Sequence, residues 1–582
     1  MSLAGQVLLG LAATAVAFAA ADTYVVVLAL PDMMSAAGLS TDQLQRAAPL
    51  ISGFLLGYVG VLPLIGRIAD LRGRTPVLVG SLVVFAMGSL VTAAAYDLPS
   101  MVTGRFVQGV GGGGLVPATL ALVADLWPPE RRGLPLGVVG AVQELGSVLG
   151  PLYGAVVLAV ADWRAIFWLN LAVGLVLAAA LVRTAPRAAG PGAGRPDVLG
   201  GVLATAALAC LALLMREPGA LVTDVQWGRA FLPMAGDSRW ATPLALAAYV
   251  LAAAFVVRQA TARRPLLGWR TWRGVLDRTD VIGAGLLGAA LGGVIVAFAS
   301  ADPEVAVLSP AGGWWLAGSL VAAALFGWRQ RVSPYPLVPR GALRPRAAWG
   351  SVAVSLFVGA ALIAALVDIP FFARLTVYPD SQLDAALVLV RFLAALPVGA
   401  LLGGWLTRHI APGVLSAVGM GMAAVAFVLM AGWGVDALHS WTATVPLVLG
   451  GLGFGLAVAP VNAALLAATD RSVHGVTSAL LVVARMVGML VGISALTTVG
   501  LRRFYDVSSV IPPVQDLCPE TPTDCPEYGD RLLQAGLAQL DAVFVGAALC
   551  AVVAAALALA LLRPAVSADP DVEWRETGDR RG

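Results

Sequence analysis

Residues 140–154 read GAVQELGSVLGPLYG, in the middle of a long apolar run. A glutamate stands in mid-run, glycines recur at every fourth position, and a glycine-proline step follows. At 100° per residue, Gly146, Gly150 and Gly154 fall on one flank of a helix. Small residues at that spacing let a second helix approach closely. Pro151 removes a backbone hydrogen bond and bends the helix. Glu144 points to the other side, in line with Gly137, Gly140 and Pro151. One face is expected to pack tightly while the other offers a carboxylate to a cavity.

The surrounding composition says what kind of helix this is. Of 582 residues, 59% are hydrophobic and 12% charged, and the mean hydropathy is +0.86. Ordinary soluble domains carry roughly 25% charged residues, and a single soluble core of this size needs far more polar surface. Apolar runs of about 20 residues span a bilayer core. The chain is read as an all-α polytopic membrane protein. Its net charge is +3, and every basic residue other than its three histidines is an arginine. Without a lysine, the phosphate loop G-x-x-x-x-G-K-[ST] cannot form. Residues 6–30 resemble a signal peptide near AFAAAD, but no basic segment precedes them and the apolar run continues, so a retained first helix is expected.

Sixteen spans are expected in a six–four–six pattern. The first six lie near 6–30, 44–66, 76–96, 100–126, 134–160 and 165–183. A Pro/Gly/Arg linker at 183–197 follows, then spans near 198–215, 241–257, 281–299 and 312–328. The last six lie near 349–373, 383–407, 412–433, 443–468, 475–501 and 536–563. The domains that follow are 1–183, 184–346 and 347–565, with a loop at 502–535 and a polar tail at 566–582 whose composition suits disorder. Arginine placement supports the count, because cytoplasmic loops are enriched in it. Alternate loops carry Arg72, Arg74, Arg131, Arg132, Arg187 and Arg195, and further arginines crowd 258–278 and 329–346, whereas 31–43 and 300–311 have acids and no arginine. An even number of spans places both termini in the cytoplasm.

Two internal repeats stand out. RPDVLGGVLA from Arg195 and RTDVIGAGLL from Arg278 have partners FVVRQATARRPL and FGWRQRVSPYPL. The shared F-x-x-R-Q-x5-P-L spacing reads as a duplicated hairpin. GVGGGGLVPATLALVADLWPPERRG (109–133) resembles GLGFGLAVAPVNAALLAATDRSVHG (451–475), which relates the two outer sixes. Two related halves with a midplane site are a common transporter plan.

Charges inside apolar runs are the candidate site. Asp22, Glu144, Arg485, Arg391 and Arg105 each lie well within a span. An arginine at mid-membrane costs roughly 2.5–3.5 kcal/mol on insertion scales, so these groups are expected to face protein or water. Asp22 and Glu144 are read as proton or substrate coupling groups with Arg485; the alternative is a static ion pair holding the halves together. Arg391 and Asp368 are read as structural or cavity-lining.

The motifs carry a family resemblance. GRIADLRGRTPVL (66–78) between spans two and three resembles the major facilitator superfamily signature, with Gly66, Asp70, Gly73 and Arg74 matching and Leu71 and Thr75 departing. RFVQGVGGGG resembles that superfamily's fourth-helix motif through Arg105, Gln108 and Gly109. The spacing of Gly137, Gly146, Gly150, Pro151 and Gly154 resembles its antiporter motif, which is associated with export. With DWRAIFWLN (162–170) and the central insert, the whole resembles the drug:proton antiporter branch with fourteen helices. Within that branch, LGLAATAVAFAAADTYVVV, AVQELGSVLGPLYG, FLAALPVGALLGGW and VVARMVGMLVG resemble the mycobacterial triacylglycerol exporters that act with a periplasmic lipoprotein. The extra central hairpin is a departure from fourteen helices. The resemblance implies a major facilitator fold of two six-helix bundles in a bacterial cytoplasmic membrane. It implies proton-coupled export of lipophilic molecules, with triacylglycerol or related lipids ahead of amphiphilic drugs. It also implies a monomer, no cofactor, no nucleic acid, and a periplasmic lipoprotein as partner. The 502–535 loop would then face an oxidising compartment, with Cys518 and Cys525 paired and the loop serving lipid exit or lipoprotein docking.

Other classes fare worse. No H-E-x-x-H occurs, the histidines (His409, His439, His474) lie in or near loops, and no nucleophile–base spacing is found, so an enzyme is not expected. A non-transporting scaffold or receptor on a transporter fold is the remaining alternative, and the embedded acids argue against it.

Overall fold

The computed structural model describes residues 3–39, 47, 49–184, 197–262, 265–266, 274–275, 277–299, 311–379, 381–518 and 525–562. The linker at 185–196, the acidic loop at 300–310, Arg187, Arg195 and four arginines of the 258–278 loop, and the tail at 566–582 lie outside the described residues. Among the described residues the regular structure is helical, with no strand. Each expected span coincides with a helix: α1 (Leu3–Ala36), α2 (Pro49–Arg72), α3 (Arg74–Ala94), α4 (Leu98–Leu126, interrupted at Gly114), α5 (Gly133–Val160) and α6 (Arg164–Thr184). The central four are α7 (Val198–Arg216), α8 (Pro243–Thr261), α9 (Val281–Ala299) and α10 (Gly312–Val332). The last six are α11 (Arg346–Leu375), α12 (Gln382–Leu406), α13 (Pro412–Ala431), α14 (Thr444–Ala467), α15 (His474–Ser508) and α16 (Pro526–Leu561). Thirteen helices among the described residues are both long and apolar enough to cross a membrane.

Two boundaries differ from expectation. The 66–78 segment is helical but for one residue: Gly73 turns the chain at φ 98°, a conformation that suits glycine, and α3 starts at once. Among its described residues, the 502–535 loop is mostly helix. α15 runs to Ser508, a short helix covers Val514–Leu517, and α16 begins at Pro526. Polar residues there read as a loop, yet Pro526 opens α16 and Arg531 pairs with Glu527 one turn earlier at 2.7 Å. At 1.5 Å per residue, α15 is roughly 52 Å long, longer than the ~30 Å apolar core it crosses.

The chain divides into two compact units. The first holds Met1–Leu126, Val142–Arg340 and Arg471–Thr498; the second holds Trp127–Ala141, Gly341–Asp470 and Val499–Gly582. The central helices therefore belong with the first unit, and α5 and α15 each give residues to both. The second hairpin sits on α2, where Gly288 and Gly60 bring the backbones together.

Both hairpins carry the same clasp. Asp197 caps α7 through the Gly200 amide (3.1 Å) and accepts from Arg258 Nη2 of α8 at 3.0 Å. Asp280 caps α9 through the Gly283 amide (2.9 Å) and accepts from Arg329 Nε of α10 at 3.0 Å. The Arg258 hydrogen bond, with the Gly200 amide, holds the Asp197 carboxyl below the usual carboxylate range. The repeated D-V and R-Q residues of the sequence are the two ends of these clasps.

Within the first unit, α4 lies so close to its neighbours that glycine is required. A Cβ at Gly109 would run into the Phe54 carbonyl of α2, and one at Gly111 into the Phe85 amide of α3. The second unit repeats this packing. Gly451 of α14 meets the Phe392 carbonyl of α12, Gly455 meets Leu396 where Gly113 meets Tyr58, and Gly453 meets Gly419 and Ala423 where Gly111 meets Ser81 and Phe85. The second core is aromatic: Phe454 lies 5.9 Å from Phe392 and 6.0 Å from Phe427, and Phe544 6.2 Å from Phe427.

Gly109→Ala is expected to destabilise the protein by about 1–3 kcal/mol through overpacking. Gly80→Ala, on α3 with open space around its Cα, is expected to be neutral or to stabilise by up to about 1 kcal/mol. Thermal unfolding of the detergent-solubilised variants separates the two, and equal melting temperatures would contradict the close-approach account.

Candidate functional site

Asp22 is 1% exposed and stands at the centre of a buried polar network in the first unit. Arg105 of α4 donates from Nη1 to Asp22 Oδ2 at 2.7 Å and to Gln108 Oε1 at 2.6 Å. Its Nε donates to the Leu50 carbonyl at 3.3 Å. Gln108 Nε2 donates to Asp22 Oδ1 and to Ser89 Oγ, both at 3.0 Å. Asn170 of α6 donates from Nδ2 to Asp22 Oδ1, and the Tyr153 hydroxyl of α5 donates to Asn170 Oδ1 at 3.4 Å. The guanidinium also lies 4.4 Å from the centre of the Phe54 ring and 5.8 Å from that of Phe167, at cation–π range. Val25, Val26, Leu50, Met101, Trp163 and Phe167 form a dry cluster beside it. In such surroundings, removing one partner of an ion pair typically costs about 3–5 kcal/mol, because the other charge stays buried and unpaired.

The fold does not demand this network. Aligning the close contacts of the two units sets Gly451 in the place of Gly109, which puts Leu447 where Arg105 stands and Gly450 where Gln108 stands. The matched Phe85 and Ala423 put Phe427 in the place of Ser89. The second unit packs the same three-helix core with these apolar side chains, Leu447 and Phe427 both buried. A charged centre on a scaffold that closes well without one is a candidate site.

α5 brings the second acid. Gly146 and Gly150 lie against the backbone of α1 at Ala17 and Ala21, where no Cβ would fit. Gly137 packs against α12 at Ala400, and Gly154 is buried; α5 runs through Pro151 as one helix. Glu144 and Arg485 are both half-buried and belong to the same unit, and Arg485 is the charged group whose field reaches Glu144. Arg391, in the second unit, donates to Thr444 Oγ1 at 3.1 Å, and Asp368 is half-buried on α11.

At the end of α2 the signature residues form a third cluster. The Asp70 side chain is buried and accepts from the backbone amides of Gly475 (2.7 Å) and Val476 (3.0 Å), in the first turn of α15. A helix N-terminus favours an anion there. Arg74 Nη1 meets Asp70 at 2.5 Å, its Nη2 donates to the Arg471 carbonyl at 3.0 Å, and its Nε lies 3.3 Å from Asp125. Gly66 and Gly475 touch backbone to backbone. Cys518 and Cys525, between α15 and α16, are disulfide-bonded.

Sequence reading placed Asp22, Arg105 and Gln108 but not their common partners. Ser89, Tyr153 and Asn170 are uncharged residues in apolar runs. Asn170 closes DWRAIFWLN, and Tyr153 lies within GPLYG, so both were in quoted segments without a role. Asp125, Arg471 and Gly475 were likewise unmarked. Among the described residues no cluster of His, Cys, Asp and Glu is arranged to hold a metal ion.

With this geometry in hand, comparisons fix the family. The Major Facilitator Superfamily description matches residues 12–328. A triacylglyceride transporter of Mycobacteroides abscessus is 35% identical over 512 residues, covering 86% of this chain and 83% of the relative. One of Mycolicibacterium smegmatis is 36% identical over 502 residues, covering 84% and 75%. One of Mycobacterium tuberculosis H37Rv is 33% identical over 584 residues, covering 97% and 96%. Among solved structures, the proton:xylose symporter XylE is similar at TM-score 0.51 and 12% identity, over 95% of this chain and 94% of that one. The human organic anion transporter MFSD10 is similar at TM-score 0.50 and 15% identity, over 96% and 100%. The glycine-packed helices, the acid-bearing α1 and α5 and these matches belong together: the chain is a member of the major facilitator superfamily, a membrane transporter and not an enzyme.

Proposed function

We propose that this chain is a proton-coupled exporter that moves triacylglycerol or related neutral lipids out of a bacterial cytoplasmic membrane by alternating access. The observation that carries the coupling is the membrane-embedded ion pair of Asp22 with Arg105; Glu144 on α5 is the second embedded acid, in the same unit as Arg485. A guanidinium at hand favours the charged carboxylate, and a dry pocket without one favours the protonated acid. A carboxylate that exchanges one setting for the other as helices move takes up and releases a proton. The cargo reading is supported by the names of the mycobacterial relatives, similar over most of both chains.

In this reading the expected domains act as two moving bundles, with both termini on the cytoplasmic side. The Asp70–Arg74 cluster is a latch on the first turn of α15 that opens and closes in the cycle. The Cys518–Cys525 segment then lies in the periplasm, where the long ends of α15 and α16 lead lipid outward and a lipoprotein takes it up. The protein acts as a monomer. Amphiphilic drug efflux is the second reading, favoured by the glycine spacing of Gly137, Gly146, Gly150 and Gly154.

Proteoliposomes with an imposed proton gradient, loaded with labelled triacylglycerol or with an amphiphilic cationic dye, test both cargoes. Gradient-driven movement of the lipid is expected, reduced at least about tenfold in Asp22→Asn and Glu144→Gln, as for loss of a charge-assisted interaction of about 1.5–3 kcal/mol. Flux indifferent to both substitutions would make the acids structural and end the coupling proposal; movement of the dye alone would select drug efflux.

A stability pair separates site from scaffold. Arg105→Leu alone leaves Asp22 buried and unpaired and should cost about 3–5 kcal/mol. The double variant Asp22→Asn, Arg105→Leu, which neutralises both charges, should recover most of that loss while remaining unable to couple transport to protons. A double variant as unstable as the single one would show that the pair is needed for folding.

A further inference from the structure

Asn170 touches Asp22 on one side and Tyr153 on the other, and so connects the acid of α1 to the helix that carries Glu144. We propose that Asn170 is a positioning residue for proton coupling: it holds the Asp22 carboxylate in place against Arg105 and, through Tyr153, ties the engagement of that carboxylate to α5. The proposal rests on the proton-coupled reading above.

The chemistry at position 170 is specific. Asn170 is 1% exposed. Its Nδ2 donates to Asp22 Oδ1, and its Oδ1 accepts from the Tyr153 hydroxyl at 3.4 Å. The amide presents a donor to the carboxylate at one end and an acceptor to the hydroxyl at the other. An aspartate here would set a second anion against Asp22, and a leucine of similar size would leave both neighbours without this partner. The Tyr153 proton is shared with the Ile166 carbonyl at 3.3 Å, so both acceptors lie on α6 and the hydroxyl is a tether between α5 and α6.

Helix packing makes the tether consequential. α5 meets α1 at Gly150 and Ala21, the residue before Asp22. The acid is therefore enclosed by α1, α4, α5 and α6. While Asp22 is charged it draws donors from Arg105, Gln108 and Asn170, and the Asn170 amide is fixed with its oxygen toward Tyr153. When Asp22 takes up a proton, its pull on these donors weakens, the amide is free to turn, and α5 loses one of its links to α6. Glu144 lies nine residues before Tyr153 on the same rod, roughly 14 Å away at 1.5 Å per residue. A shift of α5 at Tyr153 is thus carried to the second acid without any intervening side chain.

The test compares Asn170→Leu, Tyr153→Phe and Asp22→Asn with wild type by two readouts. In proteoliposomes, gradient-driven lipid flux is set against downhill exchange of the same lipid without a gradient. Asn170→Leu is expected to cut driven flux about tenfold, as Asp22→Asn does, while downhill exchange stays within about twofold; Tyr153→Phe is expected to cut it about threefold. In detergent, hydrogen exchange of the α5 amides at 142–160 is expected to quicken about threefold or more in Asn170→Leu and Tyr153→Phe, with α2 amides unchanged. Driven and downhill flux falling by equal factors would mean that Asn170 only supports the fold, and would overturn the proposal. Unchanged α5 exchange in both variants would overturn it as well. If wild type moves no lipid under a gradient, the exporter reading fails, and the exchange measurement alone decides whether Asn170 tethers α5.

Discussion

Gly109 and Gly451 stand where no Cβ can, and the architecture follows from that constraint. Helices in lipid gain little from burying apolar side chains against one another, because the acyl chains are equally apolar. Close backbone approach supplies the missing attraction. In each unit the central helix, α4 or α14, presents glycines to two neighbours at once, and its register is fixed by carbonyls that leave no room for adjustment. The two units share these contacts residue for residue, from Phe54 and Phe392 to Tyr58 and Leu396. A scaffold held by backbone contact leaves its side chains free to differ, and they do: one unit fills its centre with Arg105, Gln108 and Ser89, the other with Leu447, Gly450 and Phe427.

That difference bears on function. A buried ion pair is often no more stabilising than well-packed apolar residues of similar volume, and the second unit exhibits such a packing on the same backbone. Asp22 is joined by three donors and screened by Val25, Val26, Leu50 and Phe167, so its charge is held in a medium where any change of protonation alters several contacts together. On the proton-coupled reading proposed above, such a centre acts as a switch with discrete settings, since a close-packed core does not deform by degrees.

Much of this was legible in the sequence because charge inside an apolar run is conspicuous. Asp22, Arg105, Glu144 and Arg485 stand out for their cost alone, and glycine spacing on α5 marks a close contact whose partner, α1 at Ala17 and Ala21, only the fold identifies. Asn170, Tyr153 and Ser89 were not legible, since uncharged polar residues are scattered through the apolar runs and the sequence does not show which of them meet across helices. The hairpin repeat was visible as similarity, while its cause, a carboxylate that caps one helix and binds an arginine of the next, required the helix ends. The overlong α15 and α16 were hidden for a different reason: hydropathy reports where lipid ends, and a helix continues wherever its own hydrogen bonds and pairs such as Glu527–Arg531 sustain it.

Asp70 ties α2 to the start of a long helix. Its carboxylate caps α15 through the amides of Gly475 and Val476 while neutralised by Arg74, which also binds the Arg471 carbonyl just before the helix. The start of α15 is thereby fixed from α2 and α3. Arg485 lies ten residues further along the same helix, about 15 Å at 1.5 Å per residue. Rotation or sliding of α15 that frees its first turn from Asp70 necessarily moves Arg485, because a hydrogen-bonded helix transmits displacement along its axis. The Asp70 cap and Arg485 thus sit on one continuous helix, and in the proposed cycle a change at the cap reaches Arg485 through the backbone of α15.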